Sequence, residues 1–298
     1  MLAVVGSTAS GKSEAALALA KDVGAEIVSV DSMLIYRGMD VGTAKPTPEQ
    51  RARVRHHLLD LAEPSERFTV ARYQLCARRA LARVARPLLV GGSGLYFRAI
   101  VDELSFPPED PVVRASLEAE ADDLGADELY RRLAETDPVA AARIEPGNVR
   151  RIIRALEVTA ISGAPFSSFA ASWDRYDAAR VRVAGIRIDR DVLAVRIGER
   201  VLSMLEAGWL DEVRGLVERG FGAWLTASQA IGYSELARHL DGRLSLDEAA
   251  ERTVKRTKDL ARRQMSWFRR DPRIRWFDAG AGGAREVLDD VRGYLVAA

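Results

Sequence analysis

The sequence predicts an α/β fold in which a parallel sheet flanked by helices is interrupted by a small all-helical insertion. Over the first hundred residues, short apolar runs alternate with helical patterns, which is typical of a parallel sheet with crossover helices. After the proline-rich segment LSFPPEDPVVR (104–114), only helical patterns follow to about residue 172. A strand-like run, ARVRVAGIRID, returns at 179–189. We therefore predict a core domain of residues 1–113 and 175–298 and an insertion domain of residues 114–174.

The predicted strands share one feature, which is that small or polar residues follow them. In parallel sheets the carboxyl ends of the strands line the ligand crevice, so we expect the functional residues at these ends. The predicted strands are LAVVG (2–6), AEIVSVDS (25–32), the start of RPLLVGGSGLYFRAI (86–100), the run at 179–189 and RIRWFDAG (273–280).

The composition narrows the class of protein. The 44 basic and 43 acidic residues nearly cancel, so net charge alone does not indicate a nucleic-acid binder. One cysteine, Cys76, excludes an internal disulfide and favours a reducing compartment. Met1 leads directly into a predicted strand, and no apolar run reaches membrane-spanning length. We expect a soluble, cytoplasmic protein without a membrane partner, and a monomer because nothing requires an oligomer.

A phosphate-binding loop follows the first predicted strand. The stretch from Gly6 to Ser13 matches G-x-x-x-x-G-K-[ST] with a strand before it and a helix after it. Such a loop points backbone N–H groups into one concavity at a helix N-terminus. Lys12 adds a positive charge, and the Ser13 hydroxyl can bind Mg²⁺. The motif predicts a P-loop-type sheet and a polyphosphate ligand, without specifying which one.

Two further strand ends carry polar side chains. Asp31 follows the second strand, where it could face a substrate or cap a turn, and Ser93 lies in the glycine turn VGGSG (90–94). We find no apolar strand ending in Asp of the kind that holds a hydrolytic water and a second Mg²⁺ contact, which disfavours a motor-type ATPase. A small-molecule or nucleoside-phosphate kinase and a non-catalytic, nucleotide-gated RNA-binding switch remain as alternatives.

Seven segments together resemble those of the tRNA dimethylallyltransferases, also called tRNA isopentenyltransferases, over nearly the whole chain. The segment after the phosphate loop is the most specific. In order they are GSTASGKS, VDSMLIYRGMDVGTAKPT (30–47), HHLLD (56–60), LLVGGSGLYF (88–97), RRIIRALEV (150–158), QAIGYSE (229–235) and RRQMSWFR (262–269).

The resemblance implies a reaction and its residues. A dimethylallyl group would pass from dimethylallyl diphosphate to N6 of the adenosine 3′-adjacent to the anticodon, in tRNAs that read codons beginning with U. Asp31 would be the catalytic base, with Ser93 and Lys12 as further catalytic residues, and Ser13 would hold Mg²⁺. The implied diphosphate-binding residues are Gly6, Thr8, Ala9, Ser10, Gly11, Lys12 and Ser13.

The resemblance also implies contacts with the anticodon stem-loop of tRNA. Without it, the arginines of RRIIR would be read as a solvated helix face more readily than as an RNA site. Leu34 stands where many members have Gln, which puts the detail of base recognition in question. The implied tRNA-binding residues are Asp31, Ser32, Met33, Leu34, Ser93, Arg114, Arg150, Arg151, Ile152, Ile153 and Arg154.

Further basic residues lie on two predicted helices. Arg196 and Arg200 are one helical turn apart, and the sequence does not decide which of them reaches the diphosphate. In ERTVKRTKDLARRQMSWFRR (251–270), basic residues surround an apolar stripe of Val254, Thr257, Ala261 and Met265 or Phe268, which indicates a basic face for RNA. The residues of this face are Arg252, Lys255, Arg256, Arg262 and Arg263.

Overall fold

A computed structural model of the protein describes residues 1–102, 104–172, 175–177 and 180–297. The chain forms two compact units. The first consists of Met1–Asp102 and Tyr176–Ala298, and the second of Glu103–Arg175. In the described residues, all strands belong to the first unit, and the second unit is built from helices.

The first unit contains six strands and nine α-helices in its described part. The strands are β1 (Leu2–Gly6), β2 (Glu26–Val30), β3 (His56–His57), β4 (Pro87–Gly91), β5 (Arg182–Ile188) and β6 (Ile274–Ala279). The helices are α1 (Lys12–Val23), α2 (Pro48–Arg53), α3 (Val70–Leu81), α4 (Gly94–Val101), α9 (Arg190–Glu206), α10 (Trp209–Glu218), α11 (Tyr233–Leu240), α12 (Leu246–Phe268) and α13 (Leu288–Val296). The intervening numbers belong to the second unit, whose helices are α5 (Pro111–Leu124), α6 (Ala126–Thr136), α7 (Pro138–Ala141) and α8 (Val149–Ser162).

The six strands form one parallel sheet in the order β3-β2-β4-β1-β5-β6. This architecture confirms the predicted fold class of a parallel sheet with flanking helices. The register pairs Val30 with Gly91 and Gly6 with Ile186. The carboxyl ends of β1, β2 and β4 therefore lie at one edge of the sheet, and the segments that follow them are neighbours.

Helices cover both faces of the sheet. Alternate residues of each strand point to opposite faces. Ala3, Val5 and Leu89 pack on the face that also buries residues of α3, α4, α10, α11 and α12. Val4 and Leu88 pack on the opposite face, against α1 and α13. Burial on both faces explains why these strands read as nearly continuous apolar runs.

The second unit has its own apolar core, in which Leu117, Leu133 and Ile152 are buried. The sequence pattern places its start at 114, but the unit also includes the preceding proline-rich segment. Arg154 on α8 explains this difference, because its guanidinium donates to the carbonyls of Pro107 at 2.8 Å and Pro108 at 2.9 Å.

None of the described helices is both long enough and apolar enough to cross a membrane.

Candidate active site

The predicted phosphate-binding loop, Gly6 to Ser13, joins β1 to α1. Gly11 caps α1 from the left-handed region with φ of 82°, and Ala9 lies in the same region with φ of 60°. Among the described residues, no acceptor is bonded to the backbone N–H groups of Ala9, Gly11, Lys12 or Ser13. These donors are therefore available to an anion at the N-terminus of α1.

The carbonyl groups of the loop are held from other parts of the first unit. Arg196 Nε donates to the Ala9 carbonyl at 2.9 Å, and the Ala284 N–H donates to the Ser10 carbonyl at 3.0 Å. Lys12 Nζ donates to the Ser7 carbonyl at 2.9 Å. These bonds fix the peptide planes, so the conformation of the loop is set by the protein itself.

Lys12 lies in an environment that disfavours its charge. Desolvation, followed by the charge of Arg200, lowers the pKa of Lys12 to about 8, while Asp31 opposes the shift. A cation held in this way gains stability when an anion arrives, because the anion offsets both unfavourable effects.

The structure distinguishes the two arginines of α9. Arg196 is engaged, since it also donates from Nη1 to the Ala281 carbonyl at 2.5 Å. Arg200 has no hydrogen-bond or ion-pair partner among the described residues, although its charge interacts with Lys12 and Asp31. Desolvation lowers the pKa of Arg200 and Asp31 opposes this, but an arginine stays charged in proteins. Arg200 is therefore the arginine open to an anion at the loop.

Asp31 directly follows β2, and its two carboxylate oxygens differ. Oδ1 accepts from the backbone N–H of Met33 at 2.7 Å and more weakly from that of Leu34 at 3.4 Å. Oδ2 has no partner among the described residues. The turn-cap and substrate-facing alternatives are thus compatible, because one oxygen caps the turn and the other is free to accept a proton or hydrogen bond.

Ser93 lies beside the end of β2, the strand that Asp31 follows. Its N–H donates to the Val30 carbonyl at 3.4 Å, which places it next to the residue that precedes Asp31. Ser93 is the N-cap residue of α4, but its hydroxyl does not bond to the helix. The hydroxyl has no partner in the part of the chain that the structure describes, so the ends of β2 and β4 each carry an unengaged oxygen at the sheet edge from which the β1–α1 loop also leaves.

Gln264 on α12 is a site residue that the sequence reasoning did not single out. Its Oε1 accepts from the Thr8 N–H at 2.8 Å. A Cβ atom at Gly92 would lie 2.5 Å from its Nε2, so the Gln264 side chain packs directly against the glycine turn before Ser93. Gln264 connects the phosphate loop to the turn. In the sequence, Gln264 could have been noticed only as an uncharged polar residue within the basic segment RRQMSWFR.

The residues implied to bind tRNA fall into three groups. Ser32, Met33 and Leu34 follow Asp31 in the first unit and are partly exposed. In the second unit, Arg150 and Arg151 are exposed and have no hydrogen-bond or ion-pair partner among the described residues.

Arg114 and Arg154 form the third group, and both are engaged within the second unit. Glu157 is fully buried, and its carboxylate accepts from Arg114 Nη2 at 2.5 Å and from Arg154 Nη1 at 2.8 Å. Burial alone would raise the pKa of Glu157, but the bonds from the two arginines lower it. Both arginines therefore stabilise a buried carboxylate, whatever else they contact.

Ile152 and Ile153 lie on the inner side of α8. Their side chains are 0% and 6% exposed and belong to the apolar core of the second unit. These side chains therefore serve packing, and the tRNA contact that the resemblance implies for the two residues stays a prediction.

The basic face of α12 is present in part. Arg252, Lys255 and Arg263 are exposed, whereas Arg256 pairs with the buried Glu235 and Arg262 pairs with Asp259. The predicted stripe is confirmed at Ala261 and Phe268, but the other buried residues of this helix are Ala249 and Thr253 in place of Val254 and Thr257.

A groove of about 990 Å³ runs along α12 in the first unit. Apolar side chains such as Leu193 and Met265 form its floor, and Lys255, Lys258 and Arg269 lie at its α12 side.

The sequence matches one family model, described as IPP transferase, over residues 34–271. The chain belongs to the IPP transferase family. A tRNA dimethylallyltransferase from Kineococcus radiotolerans is 50% identical over 305 residues, covering 97% of this chain and 95% of that protein. The enzyme of the same name from Streptomyces coelicolor is 48% identical over 292 residues, covering 96% and 93%.

Solved structures agree with this membership. A tRNA isopentenylpyrophosphate transferase from Bacillus halodurans has a TM-score of 0.70 at 37% identity, covering 98% of this chain and 94% of that one. A eukaryotic dimethylallyltransferase acting on tRNA has a TM-score of 0.77, covering 94% and 74%. At 23% identity, the second similarity shows the fold alone.

Proposed function

We propose that this IPP transferase family member transfers a dimethylallyl group from dimethylallyl diphosphate to N6 of the adenosine 3′-adjacent to the anticodon, in tRNAs that read codons beginning with U. The close relatives are named for tRNA dimethylallyl transfer. The observation that carries the proposal is the free Oδ2 of Asp31 at the same sheet edge as an anion nest with two cations.

The nest and the cations suit a diphosphate leaving group. As the allylic C–O bond breaks, its electron pair moves to the diphosphate, and negative charge grows there. The free N–H groups of the loop, Lys12 and Arg200 are directed at this charge. Donors that are in place before the reaction stabilise such charge without reorganising.

Asp31 suits the acceptor side. The exocyclic amine of adenine is a weak nucleophile, because its lone pair is delocalised into the ring. As N6 forms its bond to the allylic carbon, Asp31 Oδ2 takes the N6 proton as a general base. The bonds to Oδ1 hold the carboxylate in place, and the free hydroxyl of Ser93 donates to the substrate beside it.

The residues present fit a magnesium ion. Ser13 is exposed at the start of α1 and its hydroxyl has no partner among the described residues. The described part of the chain holds no group of three or more His, Cys, Asp or Glu side chains arranged for a metal. This suits Mg²⁺, which binds few protein ligands and takes the rest from phosphate and water. When bound, Mg²⁺ neutralises charge on the diphosphate.

For the partner and the cellular context, we propose an enzyme that acts as a monomer in the cytoplasm on the anticodon stem-loop of tRNA. Arg150, Arg151 and the exposed cations of α12 are the residues proposed to contact the phosphate backbone of the RNA.

The deciding experiment incubates the purified protein with unmodified tRNA, Mg²⁺ and either dimethylallyl diphosphate or ATP, followed by nucleoside mass analysis. We expect dimethylallyl adenosine only with dimethylallyl diphosphate. Asp31→Ala should slow single-turnover transfer by about 10²- to 10⁴-fold while tRNA affinity stays near that of the wild type. Unmodified RNA with consumption of ATP would instead indicate a kinase, and equal losses of rate and affinity would remove the base assignment.

A further inference from the structure

The acceptor loop, defined as residues 31–45, begins with Asp31 and contains the partly exposed residues Ser32 to Leu34. Its first half pairs with a neighbouring segment. The Asp60 N–H donates to the Leu34 carbonyl at 3.3 Å, and the Leu61 N–H donates to the Ile35 carbonyl at 2.7 Å. Since Asp31 Oδ1 accepts from the N–H groups of Met33 and Leu34, Asp31 is connected to this paired part of the loop.

Glu212 on α10 holds the second half of the acceptor loop. Its Oε2 accepts from the backbone N–H groups of Asp40 and Val41, both at 2.8 Å. Its Oε1 accepts from the Gly42 N–H at 3.2 Å and from the Tyr233 hydroxyl at 2.6 Å. Three consecutive backbone donors thus converge on one carboxylate from a distant part of the chain. Hydrogen bonds to a charged acceptor are stronger than those between neutral groups.

Two buried aromatic side chains, Tyr233 and Trp209, surround this carboxylate. Tyr233 is buried, and burial together with the Glu212 carboxylate raises its pKa, so the phenol stays protonated and donates. Trp209, one turn before Glu212, lies against Gly42, where a Cβ atom would come within 2.0 Å of the indole nitrogen. The helix and the loop therefore fit together only with glycine at this position.

Lys45 closes the acceptor loop on itself. Its side chain is 1% exposed, and Nζ donates to the Tyr36 carbonyl at 2.5 Å and to Asp60 Oδ1 at 2.7 Å. Nζ also lies 2.6 Å from Asp40 Oδ1. Asp40 is thus held twice, by Glu212 through its backbone and by Lys45 through its side chain.

We propose that Glu212 is a positioning residue for prenyl transfer, which acts through the acceptor loop to keep Asp31 in place. This inference rests on the proposed role of Asp31 as the base. Glu212 bonds to residues 40–42 and not to the substrate side of the loop, so its effect must pass along the loop to Asp31. Catalytic geometry is sensitive enough for this, because a misplacement of about 1 Å can cost roughly 100-fold in rate.

A double-mutant cycle separates positioning from general stabilisation. Glu212→Gln replaces one acceptor oxygen by an NH₂ group, which cannot accept the backbone N–H bonds. We expect single-turnover transfer at saturating tRNA and dimethylallyl diphosphate to fall by roughly 10- to 100-fold, with dimethylallyl diphosphate affinity unchanged within about twofold. In an Asp31→Ala background the same substitution should have almost no further effect, because the group it positions is gone.

Matched variants complete the design. Glu218→Gln changes an exposed acid on the same helix and should leave the rate unchanged. Tyr233→Phe removes one donor but keeps the three backbone bonds, so its effect should be much smaller than that of Glu212→Gln. If Glu212→Gln does not fold, Glu212→Asp decides, since its shorter side chain keeps the charge but cannot reach all three N–H groups.

Two outcomes would overturn the inference. One is that Glu212→Gln slows the transfer by the same factor in the Asp31→Ala background as in the wild type. The other is a loss of diphosphate affinity as large as the loss of rate. Failure of the proposed function looks different, because then wild-type protein transfers no prenyl group, or Asp31→Ala alone leaves the rate intact.

Discussion

Helix α9 in the first unit and helix α8 in the second each contain a pair of arginines one turn apart, and in each pair the protein itself uses only one of the two. On α9, Arg196 is bonded to the carbonyls of Ala9 and Ala281, while Arg200 has no partner among the described residues. On α8, Arg154 is bonded to two proline carbonyls and to Glu157, while Arg150 is exposed and unengaged. The same residue at the same spacing is therefore structural or available, depending on which acceptors surround it.

Among the arginines of α8 and α9, we expect the largest effect when Arg200, the available arginine of α9, is replaced. Arg200→Ala should weaken binding of dimethylallyl diphosphate by about 1.5–3 kcal/mol, or roughly 10- to 150-fold, because it removes charged hydrogen bonds to the anion. Thermal stability should change little, since Arg200 has no described partner to lose. Titration calorimetry measures the affinity. Arg196→Ala is the control, and it should lower the melting temperature. If Arg196→Ala weakened diphosphate binding and Arg200→Ala lowered the melting temperature, the assignment of Arg200 as the available arginine would be wrong.

On α8 the expected effect is on stability. Arg154→Ala should lower the free energy of unfolding by about 2 kcal/mol, because it removes one of the three hydrogen-bond partners of the buried Glu157 carboxylate. Arg150→Ala should change it by less than about 0.5 kcal/mol. Urea denaturation followed by circular dichroism gives both values. Equal losses for the two variants would contradict the assignment of Arg154 as the structural arginine.

Lys12 and Arg200, the two cations beside the phosphate loop, differ in whether they lose their charge as the pH rises. Lys12 has a pKa of about 8, and the cation is the form that binds an anion. Affinity for dimethylallyl diphosphate should therefore be constant below about pH 8 and fall above it, by up to about tenfold per pH unit. The remaining charge of Arg200 does not titrate in this range.

Affinity measured across this pH range tests the assignment. Lys12→Met should bind weakly at every pH and remove the titration. An unchanged pH profile in that variant would show that another group is responsible.

The smallest effect should come from the available arginines of α8. Removing Arg150 or Arg151 should flatten the plot of log affinity for tRNA against log salt concentration by roughly 0.7–0.9 for each RNA phosphate that is no longer neutralised. Electrophoretic mobility shifts at several salt concentrations give this slope. Asp123→Asn, on an exposed acid of the same unit, is a suitable control. Affinity that does not depend on salt would exclude these residues as phosphate-binding groups.

The sheet and the phosphate loop were predictable because their signals are local. Strands that are buried on both faces read as apolar runs, and the motif from Gly6 to Ser13 encodes its own turn and helix start. The strand β3 was not predicted. It has only the two residues His56 and His57, and no apolar run marks it.

The engaged and available side chains were less predictable, because their partners lie far away in sequence. Nothing near Arg196 in the chain indicates that the carbonyl of Ala9 will lie beside it, and nothing near Glu212 indicates residues 40–42. The burial of the Ile152 and Ile153 side chains was also not predicted. The motif RRIIR reads as one recognition segment, but the periodicity of α8 separates its exposed arginines from its buried isoleucines.

By itself, the sequence determined the parallel α/β core, the helical insertion, the glycine-containing loop between β1 and α1, and the presence of a carboxylate and a hydroxyl at neighbouring strand ends. These features follow from short-range backbone preferences and apolar periodicity, which are written along the chain. Only the tertiary structure decided which arginine is free, that Gln264 joins the loop to the glycine turn, and that Glu212 holds the acceptor loop. These depend on hydrogen bonds between residues up to 256 positions apart, and such bonds exist only once the folded sheet has brought the partners together.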